Sequence, residues 1–162
     1  MSDTVFRIGP VETAADLQAV ARLFDAYAAS LGVDLAYQDF ATERATLPGK
    51  YAPPEGALLL ARGLDGAPLG CVALRPMSFE GCCEMKRLYV SPEGRGLGLG
   101  RALVEAVVAQ AARIGYREMR LDTLPFMAEA IALYRKAGFA PIDPYYDTPV
   151  TGTIFLARPL AA

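Results

Sequence analysis

Apolar positions along the chain change their period several times, and each change marks an element. Val5-Phe6-Arg7-Ile8 is short and β-rich and is stopped by Gly9-Pro10, so it predicts a first strand. Thr13 and Asp16 stand three residues apart in the form of a capping box. Behind them Leu17, Val20, Ala21, Phe24 and Ala28 recur on one helix face, and Gly32 can stop that helix. Asp34 to Leu47 is a weaker helical stretch, with Tyr37, Phe40 and Ala41 in register and Pro48-Gly49 closing it. Gly56 to Arg62 and Leu69 to Met77 predict two strands. Asp65-Gly66 between them suits a hairpin turn, whose central residues need positive φ. Cys82 to Val90 predicts the next strand, broken by Ser91-Pro92-Glu93-Gly94.

A helical period resumes after the glycines. Leu99, Ala102, Leu103, Ala106, Val107, Ala111 and Ile114 share a face, and Gly115 ends it. Val104 and Val108 widen the stripe, which predicts a helix buried on more than one side. Glu118 to Leu121 reads as a strand. Met127, Ala130, Ile131 and Tyr134 lie on one helix face, and Gly138-Phe139 fits a helix stop with a hydrophobic clasp. Thr151 to Leu156 predicts the last strand. The order β-α-α-β-β-β-α-β-α-β implies an α/β fold with helices packed on a mixed sheet.

Composition narrows the chemistry. The 162 residues suit one domain, expected to span 1–162, without repeats or a linker. Lys+Arg 16 against Asp+Glu 18 leaves −2, so there is no global pull toward nucleic acid or an anionic membrane. With His 0, a Ser-His-Asp triad, a Cys-His dyad, a histidine base and an HExxH zinc helix are all excluded. Cys71, Cys82 and Cys83 are too few for a four-cysteine zinc site, so no metal is expected, and an odd count suits a reducing compartment. Met1-Ser2-Asp3-Thr4 does not start a signal peptide, and no apolar run approaches the ~20 residues of a membrane span. A cytoplasmic protein is the expectation. An apolar content of 53% permits a homodimer interface without requiring one.

The segment Leu88-Tyr89-Val90-Ser91-Pro92-Glu93-Gly94-Arg95-Gly96-Leu97-Gly98-Leu99-Gly100-Arg101 leaves a strand, turns on glycine and enters an apolar helix. Such a turn points unpaired backbone N–H groups and the positive end of a helix dipole at one spot, which suits phosphate oxygens. Arg95 and Arg101 add cationic donors. A dinucleotide GxGxxG fails in every register: the third position is Leu99, Arg101 or Leu103. A Gly-Lys-Ser/Thr tripeptide is missing, which excludes a P-loop. The spacing that fits is Arg95-x-x-Gly98-x-Gly100. A glycine-rich turn alone is weak evidence, and a tight strand–helix connection is the alternative reading.

Two blocks together carry more. Glu84-Met85-Lys86-Arg87-Leu88-Tyr89-Val90 with Arg95 to Leu103, followed by Ala130-Ile131-Ala132-Leu133-Tyr134-Arg135-Lys136-Ala137-Gly138-Phe139, resembles the GNAT superfamily of acyl-CoA-dependent N-acetyltransferases. The resemblance implies a mixed, mostly antiparallel central sheet flanked by helices, with acetyl-CoA as cosubstrate. It implies that Leu88, Tyr89 and Val90 offer backbone groups to the pantetheine arm. Arg95, Gly96, Leu97, Gly98, Leu99, Gly100 and Arg101 would surround the pyrophosphate, and Tyr134 would stand near the thioester sulfur. One departure is Met127, where family members commonly carry an asparagine that contacts the cofactor.

Acetylating an amine requires removing a proton from a group that holds it to about pH 10 and supplying one to the leaving thiolate. Glu84, 11 residues ahead of Arg95, stands where some relatives hold a base. Strand alternation would put it on one face with Lys86, Leu88 and Val90; an ion pair with Lys86 or a solvent-facing carboxylate is the plainer role. Tyr134 is the candidate proton donor, or else a core aromatic. Cys82 and Cys83 lack an activating neighbour apart from Lys86 and Arg87. The resemblance implies that the regions of Tyr27, Asp34 and Tyr37 and of the loop Pro144-Tyr145-Tyr146-Asp147-Thr148-Pro149 border the acceptor, with an ordinary loop or surface role as the alternative for each residue.

The resulting expectation is direct acetyl transfer from acetyl-CoA to a primary amine of a small molecule in a ternary complex. Two alternatives stay open: a protein N-terminal or lysine acetyltransferase, and a non-catalytic acyl-CoA-binding regulatory module.

Overall fold

The computed structural model describes residues 5–160. The reading of Met1-Ser2-Asp3-Thr4 and the outer bounds of the expected domain fall outside those residues. Seven strands form one sheet: β1 (Phe6–Pro10), β2 (Ala57–Gly63), β3 (Pro68–Pro76), β4 (Cys82–Val90), β5 (Glu118–Thr123), β6 (Ala140–Pro141) and β7 (Ile154–Pro159). Their order is β1-β2-β3-β4-β5-β7-β6. Every neighbouring pair is antiparallel except β4 and β5, which run parallel. Four α-helices accompany it: α1 (Ala14–Leu31), α2 (Phe40–Ala45), α3 (Leu99–Ile114) and α4 (Ala128–Lys136). The structure is thus α/β, with a mostly antiparallel sheet flanked by helices.

The period-2 alternation of the strands sorts side chains between two layers. Leu59, Ala61, Val72, Leu74, Cys83, Met85 and Leu121 face α3 and Tyr134 of α4. Leu58, Leu60, Cys71 and Ala73 face Val20, Leu23 and Phe24 of α1. Since β2 is covered on both sides, its run Ala57–Ala61 is buried throughout and reads as uninterrupted apolar sequence. Leu103, Val104 and Val107 of α3 are at most 1% exposed, as the widened stripe predicts. Burial of a side chain such as Leu103 contributes roughly 1.5–3 kcal/mol.

The helix termini match their sequence signals. Thr13 Oγ accepts the Asp16 N–H at 3.1 Å, and the Asp16 carboxylate accepts the N–H groups of Glu12 and Thr13 in return. At the end of α4 the Phe139 N–H reaches the Tyr134 carbonyl, and the two rings meet edge to face at 5.9 Å, which is the expected clasp. The weak stretch Asp34–Leu47 is not one helix. It is a 3₁₀ turn (Leu35–Gln38) and α2, parted by Asp39 at φ 56. Asp34 caps that turn through the Ala36 N–H, a bond local to the backbone that competes with a continuous helix. The last strand starts at Ile154 rather than Thr151, and the two-residue β6 carries too short a pattern to be read from sequence.

Two features of β4 position everything that follows. Its ladder with β5 lasts for Cys82, Cys83 and Glu84, paired with Glu118, Met119 and Arg120, and then the strands part. Its register with β3 jumps between Tyr89 and Lys86, so Arg87 and Leu88 together oppose Val72. This is a β-bulge, with Arg87 at φ 61. It corrects the expected alternation: Leu88 and Val90 turn to the α3 layer with Met85, while Glu84, Lys86 and Arg87 stay on the α1 side.

Candidate functional site

The parting of β4 from β5 opens a cleft through the middle of the sheet. Leu88, Leu121, Thr123, Met127 and Tyr134 line it on the α3–α4 side, and Tyr27, Tyr37, Gln38 and Lys86 on the other. β4 leaves its β5-facing edge without a strand partner past Glu84. An extended ligand can therefore pair with that edge, as an added strand does.

Past the end of β4 at Val90 the chain turns into the N-terminus of α3. The first backbone donor engaged there is the Ala102 N–H, on the Gly98 carbonyl at 3.1 Å. Gly98 at the cap position supplies no side-chain hydrogen bond. The N–H groups of Leu99, Gly100 and Arg101 are thus left for a ligand, as the geometry of any helix start dictates. Gly96 (φ 79) and Gly98 (φ 76) both hold left-handed backbone, which a Cβ would strain. A Cβ on Gly100 would meet Leu133 Cδ2 at 3.3 Å. Arg95 and Arg101 are both exposed beside this turn, Arg101 in a surface ion pair with Glu105 at 3.0 Å. Open donors, glycines and an adjoining unpaired strand edge suit the pyrophosphate and pantetheine of coenzyme A. Met127, at the start of α4, makes no capping hydrogen bond and has only a 4.0 Å contact from Thr123 Oγ.

Tyr134 is 7% exposed, and its hydroxyl has no hydrogen-bond partner among the described residues. Burial of the ring pushes its pKa up, with Tyr27 and Asp122 adding to the rise. The phenol stays protonated at neutral pH and faces the cleft.

On the α1 side a buried polar chain crosses the same gap. Glu84 accepts Arg75 Nε at 2.9 Å on one oxygen and the Tyr145 hydroxyl at 2.6 Å on the other. Lys86 donates to Gln38 at 3.1 Å and stands 3.8 Å from Asp122. Tyr146 donates to Asp122 at 2.6 Å. Arg87 binds Glu43 through Nε and one terminal nitrogen and Gln38 through the other, with Phe40 under the guanidinium at 5.3 Å. These charge-assisted bonds offset the backbone strain at Arg87, roughly 1–3 kcal/mol for a non-glycine at positive φ.

Glu84's direct ion-pair partner is therefore Arg75, not Lys86. Burial pushes the Glu84 carboxyl up, but Lys86, Arg75 and the Tyr145 hydrogen bond outweigh it and hold it below its usual value. Burial drives Lys86 down more than Glu84 and Asp122 raise it. Cys83 is pushed up to about 12 by burial, and Cys82 is raised by burial and its bond to Glu118, so neither is a ready thiolate at neutral pH.

A second cavity of about 540 Å³ opens outward from this chain, walled by Tyr37, Arg75, Glu84, Lys86, Tyr145 and Tyr146. It shares Tyr37, Gln38 and Lys86 with the cleft. Of the expected acceptor-side residues, Tyr37, Tyr145 and Tyr146 stand here and Tyr27 stands in the cleft, whereas Asp34 is a capping residue. Sequence reasoning missed Arg75, Gln38, Glu43 and Asp122. Isolated polar residues 44 to 49 positions away from Lys86 and Arg87 carry no local pattern.

Among the described residues no group of acidic, cysteine or histidine side chains could hold a metal ion. Known proteins agree with this geometry. The model of the acetyltransferase (GNAT) family matches residues 19–139. An uncharacterised N-acetyltransferase of Schizosaccharomyces pombe is 40% identical over 156 residues, 96% of each chain. An IAA acetyltransferase of Azospirillum brasilense is 38% identical over 67% of this chain and 71% of its own. A phosphinothricin acetyltransferase of Sinorhizobium meliloti, solved in complex with acetyl-CoA, shares the fold at a TM-score of 0.73, with 22% identity over 97% of this chain and 89% of that one. A sheet that parts beside a glycine-rich helix start, the family match and the Schizosaccharomyces pombe relative over nearly the whole chain lead to one conclusion: the chain belongs to the GNAT family and is an acyl-CoA-dependent acetyltransferase.

Proposed function

We propose that this single-domain protein moves an acetyl group from acetyl-CoA to a primary amine of a small molecule, with both bound at once. The observation that carries this reading is the cleft at the β4–β5 gap joined to an outer cavity, the two sharing Tyr37, Gln38 and Lys86. A thioester laid along β4 and an amine entering from the Tyr145 side would meet there. Raised cysteine pKa values favour direct transfer over an acyl-cysteine. One relative is named for action on IAA and one structural neighbour for action on phosphinothricin, which supports a small acceptor.

In this reading acetyl-CoA supplies the activated acyl group, and the chain binds, orients and moves protons. The N–H groups from Gly96 to Arg101 hold the pyrophosphate, with Arg95 and Arg101 nearby. Backbone groups of Leu88, Tyr89 and Val90 hold the pantetheine arm. Both Glu84 oxygens are already hydrogen-bonded, so Glu84 takes the amine proton through a water rather than by direct contact. The Tyr134 hydroxyl points its proton at the leaving sulfur. Complete transfer from a phenol raised above ~10 to a thiolate near ~8.5 is uphill by about 2 kcal/mol or more. Its contribution is therefore a hydrogen bond to the developing charge.

Free cysteines fit a cytoplasmic setting, and no helix among the described residues is long and apolar enough to cross a membrane. Nucleic acid and membrane have no part in this reading. A panel of small amines and peptides, read by thiol release from acetyl-CoA, tests it. Turnover with small amines supports it, turnover with peptides alone replaces it with protein acetylation, and tight binding without turnover replaces it with a regulatory module.

A further inference from the structure

The outer cavity holds a contrast between two arginines. Arg87 spends Nε and both terminal nitrogens on Glu43 and Gln38. Arg75 spends only Nε, on Glu84, and its two terminal nitrogens make no hydrogen bond among the described residues. Its side chain is 30% exposed and lines the cavity, as does Lys50, which has no ion-pair partner among the described residues. The unused donors therefore lie on the Arg75–Lys50 wall. Unused acceptor capacity lies on Tyr145 and Tyr146, which line the same cavity. The Tyr145 hydroxyl gives its proton to Glu84 and keeps its oxygen lone pairs, while the Tyr146 hydroxyl gives its proton to Asp122, accepts Gln38 Nε2 at 3.5 Å and keeps one lone pair.

Charge agrees with that division. Lys50, Arg75 and Lys86 face the cavity with Asp39 and Glu84, and Asp122 stands behind Lys86, so cations and anions balance. A neutral cavity whose lining holds both free donors and free acceptors fits a ligand carrying both charges. We infer that the acceptor is a zwitterionic amino acid, its ammonium toward Glu84 and the tyrosine oxygens and its carboxylate on the terminal nitrogens of Arg75, with Lys50 at the rim. Two parallel N–H donors match a carboxylate. A polycationic acceptor would set further ammonium groups against Arg75 and Lys50. Tyr37, Phe79, Tyr145 and Tyr146 line the space between and suit an apolar or aromatic side chain.

The inference rests on the proposed small-amine transfer, and the test separates the two. Thiol release is measured with phenylalanine and with phenylalaninamide, which differ at the carboxylate. Phenylalanine is expected to have a kcat/KM higher by about tenfold or more, as a charge-assisted pair supplies. Arg75→Gln should bring the two within about threefold, and Lys50→Ala should narrow the gap by a smaller factor while leaving folding untouched. Because Arg75→Gln also loosens Glu84, calorimetry with N-acetylphenylalanine and its amide reads the carboxylate without any turnover. The acid should bind the parent more tightly, and Arg75→Gln should remove that preference. Equal or better use of the amide by the parent overturns the amino-acid acceptor while leaving acetyl transfer standing. So does a preference for the acid that survives both substitutions. Thiol release with no amine of any kind overturns both readings.

Discussion

Replacing Tyr134 with phenylalanine isolates one hydroxyl. The ring keeps its edge-to-face contact with Phe139 at 5.9 Å and its place in the α3–α4 core. The hydroxyl has no protein partner among the described residues, so the substitution breaks no hydrogen bond in the folded protein. Thermal stability should shift by less than about 1 kcal/mol, in either direction, because an unpaired polar atom at a cleft wall contributes little. Catalysis should fall by far more. A hydrogen bond to a developing thiolate is charge-assisted and is worth roughly 1.5–3 kcal/mol, which corresponds to about 10- to 150-fold in kcat. Affinity for acetyl-CoA should hold, since the interaction grows only as the C–S bond breaks. The assay is single-turnover thiol release, where chemistry limits the rate. A thioester whose leaving thiol is more acidic needs the donor less and should lose less on Tyr134→Phe. Equal losses for the two thioesters would refute donation to sulfur and leave Tyr134 as a packing residue. An unchanged kcat with acetyl-CoA would take it out of the mechanism.

Further expectations follow from the same geometry. Glu84→Gln should lower kcat/KM by about 10²–10⁴ and flatten or move the rising limb of the pH–rate profile, with coenzyme A affinity unchanged; a loss under about threefold would leave Glu84 as the structural partner of Arg75. Gly98→Val puts a β-branched residue at φ 76 with no neighbour within 4 Å, so it should cost about 1–3 kcal/mol of backbone strain and weaken coenzyme A binding in calorimetry by about tenfold or more. Parent-like affinity would refute the phosphate cradle. Asp16 is held at about 2 by the Glu12 N–H and Arg62, below its ordinary 3.8, so its ionised form favours the folded state. That contribution is complete above about pH 4 and fades as the pH falls toward the folded value near 2. Denaturant unfolding of Asp16→Asn and the parent should therefore differ at pH 7 and converge near pH 2.

Local rules made the element order, the α1 capping box, the α4 clasp and the doubly buried α3 legible in the sequence. Each arises among residues three to five positions apart or from one repeating face. The glycine turn and Tyr134 were legible as well, because the backbone of Gly98 and the face of α4 are local properties. Legibility stopped at β4. Alternation placed Leu88 and Val90 beside Glu84, but a bulge at Arg87 reversed them, and that bulge is held by Glu43 and Gln38 some 44 and 49 residues away. The partner of Glu84 had the same limit: the hairpin brings Arg75 to it across the β3–β4 ladder, while Lys86, two residues along, turns to Gln38 and Asp122. The cleft itself opens where the β4–β5 pairing ends at Glu84, and nothing in the local pattern of either strand marks that end. The sequence determined which segments form strands and helices and where the glycine turn lies. Only the tertiary structure decided which charges meet and where the sheet opens, because those outcomes depend on contacts between residues with no fixed spacing in the chain.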